Sequence, residues 1–198
     1  MINRFVVILT VFALALFFPV TAAMAVPYGK TAPVNTFFGE LSIKQTFSNT
    51  SSTYIPISLG YGFTKRFEAS GGAGIINSSN MNTTGYFVSL KYWLAQDEGD
   101  EFDCAFRLPV LTYSNGGNSF TQISTMFDFS KDMRGFTPFF SAGANFLSGP
   151  ISRTTFAFSV GSVGYLMNYI EAYTSLGVNI SDSSEGSTFL TIGARLKS

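Results

Sequence analysis

The stretch Thr53–Ile76, TYIPISLGYGFTKRFEASGGAGII, decides how the whole chain is read. In its first half Ile55, Ile57, Leu59, Tyr61 and Phe63 occupy every second position, with Pro56, Ser58, Gly60 and Gly62 between them. A strand sends successive side chains to opposite faces, so this is one apolar face backed by one small or polar face. Thr64-Lys65-Arg66 interrupts the run. Phe67, Ala69, Gly71, Ala73 and Ile75 then resume it opposite Glu68, Ser70, Gly72 and Gly74. The pattern predicts an antiparallel hairpin closed by a tight charged turn.

The same alternation continues in both directions and predicts ten strands: Phe38–Ser48, Thr53–Phe63, Phe67–Asn77, Thr84–Leu94, Phe102–Ser114, Phe120–Ser130, Phe136–Leu147, Thr154–Tyr165, Tyr169–Ile180 and Thr188–Lys197. Most are about 11 residues long, close to what a tilted strand needs to cross a bilayer. Phe38–Ser48 is the least regular, and an eight-strand reading survives if one hairpin lies outside the barrel. No helical period competes with the alternation. The connections alternate between two chemistries. Loops such as Asn49-Thr50-Ser51-Ser52 and Asn115-Gly116-Gly117-Asn118 are rich in Ser, Asn and Gly. Tight turns such as Thr64-Lys65-Arg66 and Lys131-Asp132-Met133-Arg134 are mostly charged, and they recur about every 33–35 residues. Such sorting implies that the two ends of the strands face different environments.

Composition narrows the class. The chain has 198 residues, enough for one domain, and its basic and acidic residues balance at 12 each, which leaves no electrostatic case for nucleic acid. Charged residues make up 12%, against about a quarter in soluble domains. Residues 1–25 have the three parts of a cleaved secretory signal: Arg4 at the start, an apolar run from Phe5 to Phe18, and Ala23-Met24-Ala25 before the cut. Residues 26–35 form a polar, proline-containing lead-in, and residues 36–198 carry the strands. Cys104 is the single cysteine, so no internal disulfide is expected.

Within the predicted strands the charged residues fall on the small, polar face. Glu40, Lys44, Glu68, Lys91, Asp103, Arg107, Asp128, Glu171 and Arg195 all do so, and most lie near the tight-turn end. Either that face meets water around an apolar core, or it lines a barrel interior while the Ile/Leu/Phe face meets lipid. One or two charges per strand are too few for a soluble exterior, whereas glycine among them makes room inside a small barrel. The charges then form an interior belt of mixed sign, structural or pore-lining. Unpaired buried charge costs several kcal/mol, so pairing is expected, with Glu68 beside Lys91, Arg107 beside Asp128 and Glu171 beside Arg195.

These features resemble the small up-and-down β-barrels of the Gram-negative outer membrane. The resemblance implies an all-β, closed antiparallel transmembrane barrel over residues 36–198, with the 26–35 lead-in and the tight turns in the periplasm and the loops outside. It also implies outer-membrane lipid and the outer-membrane assembly machinery as partners. Phe63, Phe67, Tyr92, Phe102, Phe129 and Phe136 would form the periplasmic aromatic girdle, and Phe47, Tyr86, Phe146, Phe156 and Phe189 the outer one. The last strand is similar to the family's assembly signal at Thr191, Gly193 and Leu196, but ends in Ser198 where that signal has an aromatic residue.

The chain has no histidine, so the histidine base on which hydrolases of such barrels depend is missing. No Cys/His set suits a metal and no glycine motif suits a nucleotide, so neither enzyme activity nor a cofactor is expected. Phe87, Trp93, Tyr113, Phe139, Tyr165, Tyr169 and Tyr173 share the polar face and predict a lumen mostly filled by side chains. The expected function is a non-enzymatic barrel, structural or with a narrow pore. The alternative is a soluble exported barrel, faces swapped, that holds an apolar ligand inside. Oligomeric state is not legible in the sequence.

Overall fold

The computed structural model describes residues 29–48, 51–79, 81–95, 102–181 and 186–198. The predicted signal segment and the acidic turn at Asp97, Glu98, Asp100 and Glu101 lie outside them. Ten strands follow in order: β1 (Phe37–Phe47), β2 (Ser52–Thr64), β3 (Phe67–Ser78), β4 (Met81–Ala95), β5 (Asp103–Asn115), β6 (Asn118–Ser130), β7 (Phe136–Ser148), β8 (Arg153–Met167), β9 (Ile170–Ser181) and β10 (Ser187–Lys197). Each pairs antiparallel with its sequence neighbours, and β1 pairs with β10, which closes the barrel and removes both sheet edges. The eight-strand reading is thereby corrected: β1, the least regular strand in sequence, is hydrogen-bonded on both sides. Most predicted strands are short at one end because hairpins keep pairing past the alternating core, while Ser48, Phe102 and Tyr169 fall just outside β1, β5 and β9. Ser78 faces Met81, and β8 runs to Met167 across a register shift that takes up two residues expected in the turn.

The faces sort as the sequence alternates. Ile57 and Leu59 are 62% and 73% exposed on the outside, whereas Ser58 and Glu68 are buried inside. The interior therefore carries the charged and small residues, and the swapped arrangement expected of a soluble carrier is not found. Aromatic rings band both ends of the exterior: Phe63, Tyr92, Phe102, Phe129 and Phe136 at the tight-turn end, Phe47, Tyr86, Phe146 and Phe156 at the loop end. Two aromatic assignments change. Phe189 is 6% exposed; it points inward because it is in phase with Thr191 and Arg195. Tyr169 lies in the turn before β9, exposed.

Inside, bulk is traded between neighbouring strands. β2 presents Ser58, Gly60 and Gly62 to the lumen, and the ring of Phe38 on β1 occupies the space over Gly60, where a Cβ would come within 2.1 Å of the ring. Gly60→Ala therefore displaces a buried ring, at a cost of about 1–3 kcal/mol. Gly39→Ala, one position along on the outer face, meets only ordinary contacts at 3.7 Å and beyond, and should stay within about 0.5 kcal/mol. Urea unfolding in lipid vesicles, followed by fluorescence of the single Trp93, checks the difference.

Candidate functional site

The lumen is the candidate site, and its charges come from strand parity. Lumen-facing positions near the tight-turn end place Glu40, Glu68, Lys91, Asp103, Asp128, Glu171 and Arg195 in the barrel interior, all of them buried. Arg195 is fully buried on β10, with Glu40 opposite on β1 and Glu171 opposite on β9. Its guanidinium stacks on Phe38, 4.0 Å from the ring centroid. From there Nη2 reaches Glu68 at 3.2 Å and Glu40 at 3.6 Å. Glu68 stands on β3, three strands away, and the guanidinium reaches it over the ring of Phe38, which is seated on Gly60. Tyr173 completes the group by donating its hydroxyl to Glu40 Oε1 at 2.6 Å.

A second group lies on the facing wall. Arg107 donates from Nε and Nη2 to the two carboxylate oxygens of Asp128, at 2.7 and 3.0 Å, and Ser141 Oγ donates to the same carboxylate at 2.7 Å. Lys91, 1% exposed, stands in register between Glu68 and Arg107 and joins the two groups. Glu171 pairs with Lys197, a partner that sequence analysis did not name. Lys44 is set apart, toward the loop end, with its ammonium over the ring of Phe189.

The part of the site that sequence reasoning missed is the lead-in. Residues 29–36 do not hang free; they cross the tight-turn mouth. At one wall Asn35 N–H donates to Gly62 O at 2.8 Å, Thr31 Oγ1 to Lys65 O at 3.0 Å, and Ala32 N–H to Glu68 Oε2 at 2.5 Å. At the other, Gly29 N–H donates to Ser130 Oγ at 2.9 Å, and Lys30 sits 2.5 Å from Asp132 and 3.4 Å from Asp103. Ala32 is 1% exposed. Gly62 admits the strap, since a Cβ there would lie 2.2 Å from Pro33 O. A turn from Pro33 to Thr36, with Asn35 at φ 59°, then swings the chain into β1. The sequence signal was slight: small residues in the strap opposite a strand whose inner face near the turn is glycine, at Gly60 and Gly62.

The anchors at the mouth outlast ordinary pH changes. Partial burial works against the charge of Asp132, but hydrogen bonds from Lys30 and Thr137 outweigh it and hold the carboxyl below its ordinary 3.8. Burial likewise opposes the charge of Lys30, yet Asp132 and Asp103 raise it above 10.5. A lowered acid contributes fully above its unfolded value and is lost as pH falls through the folded one; a raised base contributes below its unfolded value and is lost on the alkaline side. The strap should stay docked from about pH 4 to about pH 10 and loosen beyond either limit. A nitroxide on Val34→Cys, in a Cys104→Ser background, reports this as mobility that rises only outside that window.

For the belt, Arg107→Met leaves Asp128 buried without its cation and should cost about 3–5 kcal/mol. The double variant Arg107→Met/Asp128→Leu should cost less than the single one, because it removes the stranded charge. Denaturant midpoints in vesicles decide this.

No protein-family model matches the chain, and no curated protein matches it. Among solved structures, the COG4313 outer membrane channel from Pseudomonas putida F1 superimposes with a TM-score of 0.61 at 10% identity, over 90% of this chain and 100% of that one. The N-terminal β-barrel domain of Pseudomonas aeruginosa OprF gives 0.42 at 12% identity, over 84% and 100%. The KdgM porin gives 0.45 at 11%, over 79% and 98%. At these identities the likeness is one of fold, and of the three only the first is near enough to carry weight. The chain has the fold of a small outer-membrane β-barrel.

Proposed function

We propose that this is a non-enzymatic outer-membrane barrel whose lumen offers a narrow path, held shut at the periplasmic mouth by the strap of residues 29–36. The exterior supports the membrane location: an apolar surface between two aromatic bands is what a bilayer requires of a strand wall. Outer-membrane lipid is then its immediate surroundings, and the assembly machinery that inserts such barrels its partner during biogenesis.

The observation that carries the reading is the strap's attachment to two nearly opposite walls. A chain segment that only led into β1 would need contacts at one wall. Against enzyme chemistry stands the engagement of every belt carboxylate with a cation: Glu40 and Glu68 with Arg195, Asp103 with Lys30, Asp128 with Arg107, Glu171 with Lys197. Carboxylates held in this way are poor general bases. The belt beneath the strap narrows the lumen further, so solutes larger than small ions are excluded from the closed barrel.

Planar-bilayer recording tests this. The native chain should show low, infrequent conductance. Lys30→Ala/Asp132→Ala, which cuts the strap from one wall, and Ala32→Pro, which removes the donor to Glu68, should each raise the open probability severalfold. If both variants fold and stay as silent as the native chain, the barrel is structural and the path does not exist.

A further inference from the structure

The lumen's charges are divided by height. Every described carboxylate of the belt sits within four residues of the tight-turn end of its strand. Lys44 lies four residues beyond Glu40 on the same face of β1, about 13 Å further along the strand. Among the described residues no carboxylate is within ion-pair distance of it. Its ammonium lies over the ring of Phe189, 3.9 Å from the centroid, and Arg107 is a like charge that adds to its need for an anion. Unlike Lys91 and Arg195, it keeps part of its surface accessible to solvent inside the barrel.

The walls around this level are of two kinds. On β6–β8, Gln122, Asn145 and Thr155 form an uncharged hydrogen-bonding chain, Gln122 Nε2 to Asn145 Oδ1 at 3.5 Å and Asn145 Nδ2 to Thr155 Oγ1 at 3.3 Å. On β2–β5, Tyr54, Ile76, Phe87 and Leu111 pack into an apolar cluster with Tyr113 against it. The ring of Tyr113 stacks on Phe120, centroids 5.2 Å apart. An ammonium withdrawn from bulk water with no counter-ion is costly, and an anion from outside relieves that cost.

We propose that the outer half of the lumen binds a small organic monoanion, a carboxylate with a compact apolar body, whose charge rests on Lys44 and whose body lies against the aromatic wall. This deepens the barrel reading above, since the anion must enter through an open loop end, but it does not require conduction. A barrel that binds without conducting, or conducts without binding, separates the two.

The test is NMR of the refolded full-length barrel in micelles, its lysines reductively methylated with ¹³C and the Lys44 signal assigned by its loss in Lys44→Arg. Sodium benzoate, sodium acetate and the neutral benzyl alcohol are titrated at constant ionic strength. Benzoate should shift the Lys44 signal saturably while leaving Lys131 unmoved; acetate should bind more weakly and benzyl alcohol should not saturate. Lys44→Gln should weaken benzoate binding, read from the ligand's own signals, about tenfold or more. A linear shift, or an equal one at Lys131, overturns the site. Equal saturation by acetate and benzoate overturns the apolar wall's part in it. The titration of the native chain stands whether or not Lys44→Gln folds.

Discussion

A fully buried guanidinium that must find its counter-charges across the lumen organises this protein. Arg195 has an apolar outer wall behind it, so its charge is met only from within the barrel. Glu40 and Glu68 meet it from within, and their geometry needs Phe38 beneath the guanidinium and Gly60 beneath Phe38. One small residue on β2 thus sets the position of a ring on β1, an arginine on β10 and a glutamate on β3. Packing and electrostatics are one constraint here, because each buried charge is placed by the bulk its neighbours lack.

The same glutamate ties the belt to the strap. Glu68 takes Arg195 on one oxygen and the backbone N–H of Ala32 on the other. Closure of the mouth therefore shares a group with the network that holds the wall together. Loosening of the strap would leave Glu68 with its charge partners intact, so opening the mouth need not dismantle the barrel. The turn-side anchor at Lys30 and Asp132 is more exposed to water than the belt, which makes it the weaker of the two attachments.

The division of the lumen by height has a similar origin. Mixed charges occupy the tight-turn half, where every described carboxylate of the belt meets a base. Among the described residues the loop half holds amides, hydroxyls, an aromatic cluster, Lys44, and Arg153 at the rim on Ser181. Strands whose carboxylates all lie at the tight-turn end produce this division.

Much of the architecture could be read from the chain by itself. Alternation at Ile55, Ile57 and Leu59 against Ser58 and Gly60 set the faces, scarcity of charge decided which face was outside, and the two loop chemistries gave direction to the strands. Inward placement of the belt followed from parity, a property local to each strand. What parity could not supply was distance. Lys197 meets Glu171 across the β9–β10 hairpin, at an offset that alternation alone does not give. Arg195 reaching Glu68 and Lys30 reaching Asp132 join residues 127 and 102 positions apart, brought together only when the barrel closes. The docked lead-in was hidden for the same reason: residues 29–36 have no alternation of their own, and their partners exist only once the mouth has formed. Phe189 shows the limit from the other side. Its parity pointed inward, its place near the loop end suggested the outer girdle, and the closed barrel decided for parity, since turning it outward would have turned Thr191 and Arg195 with it.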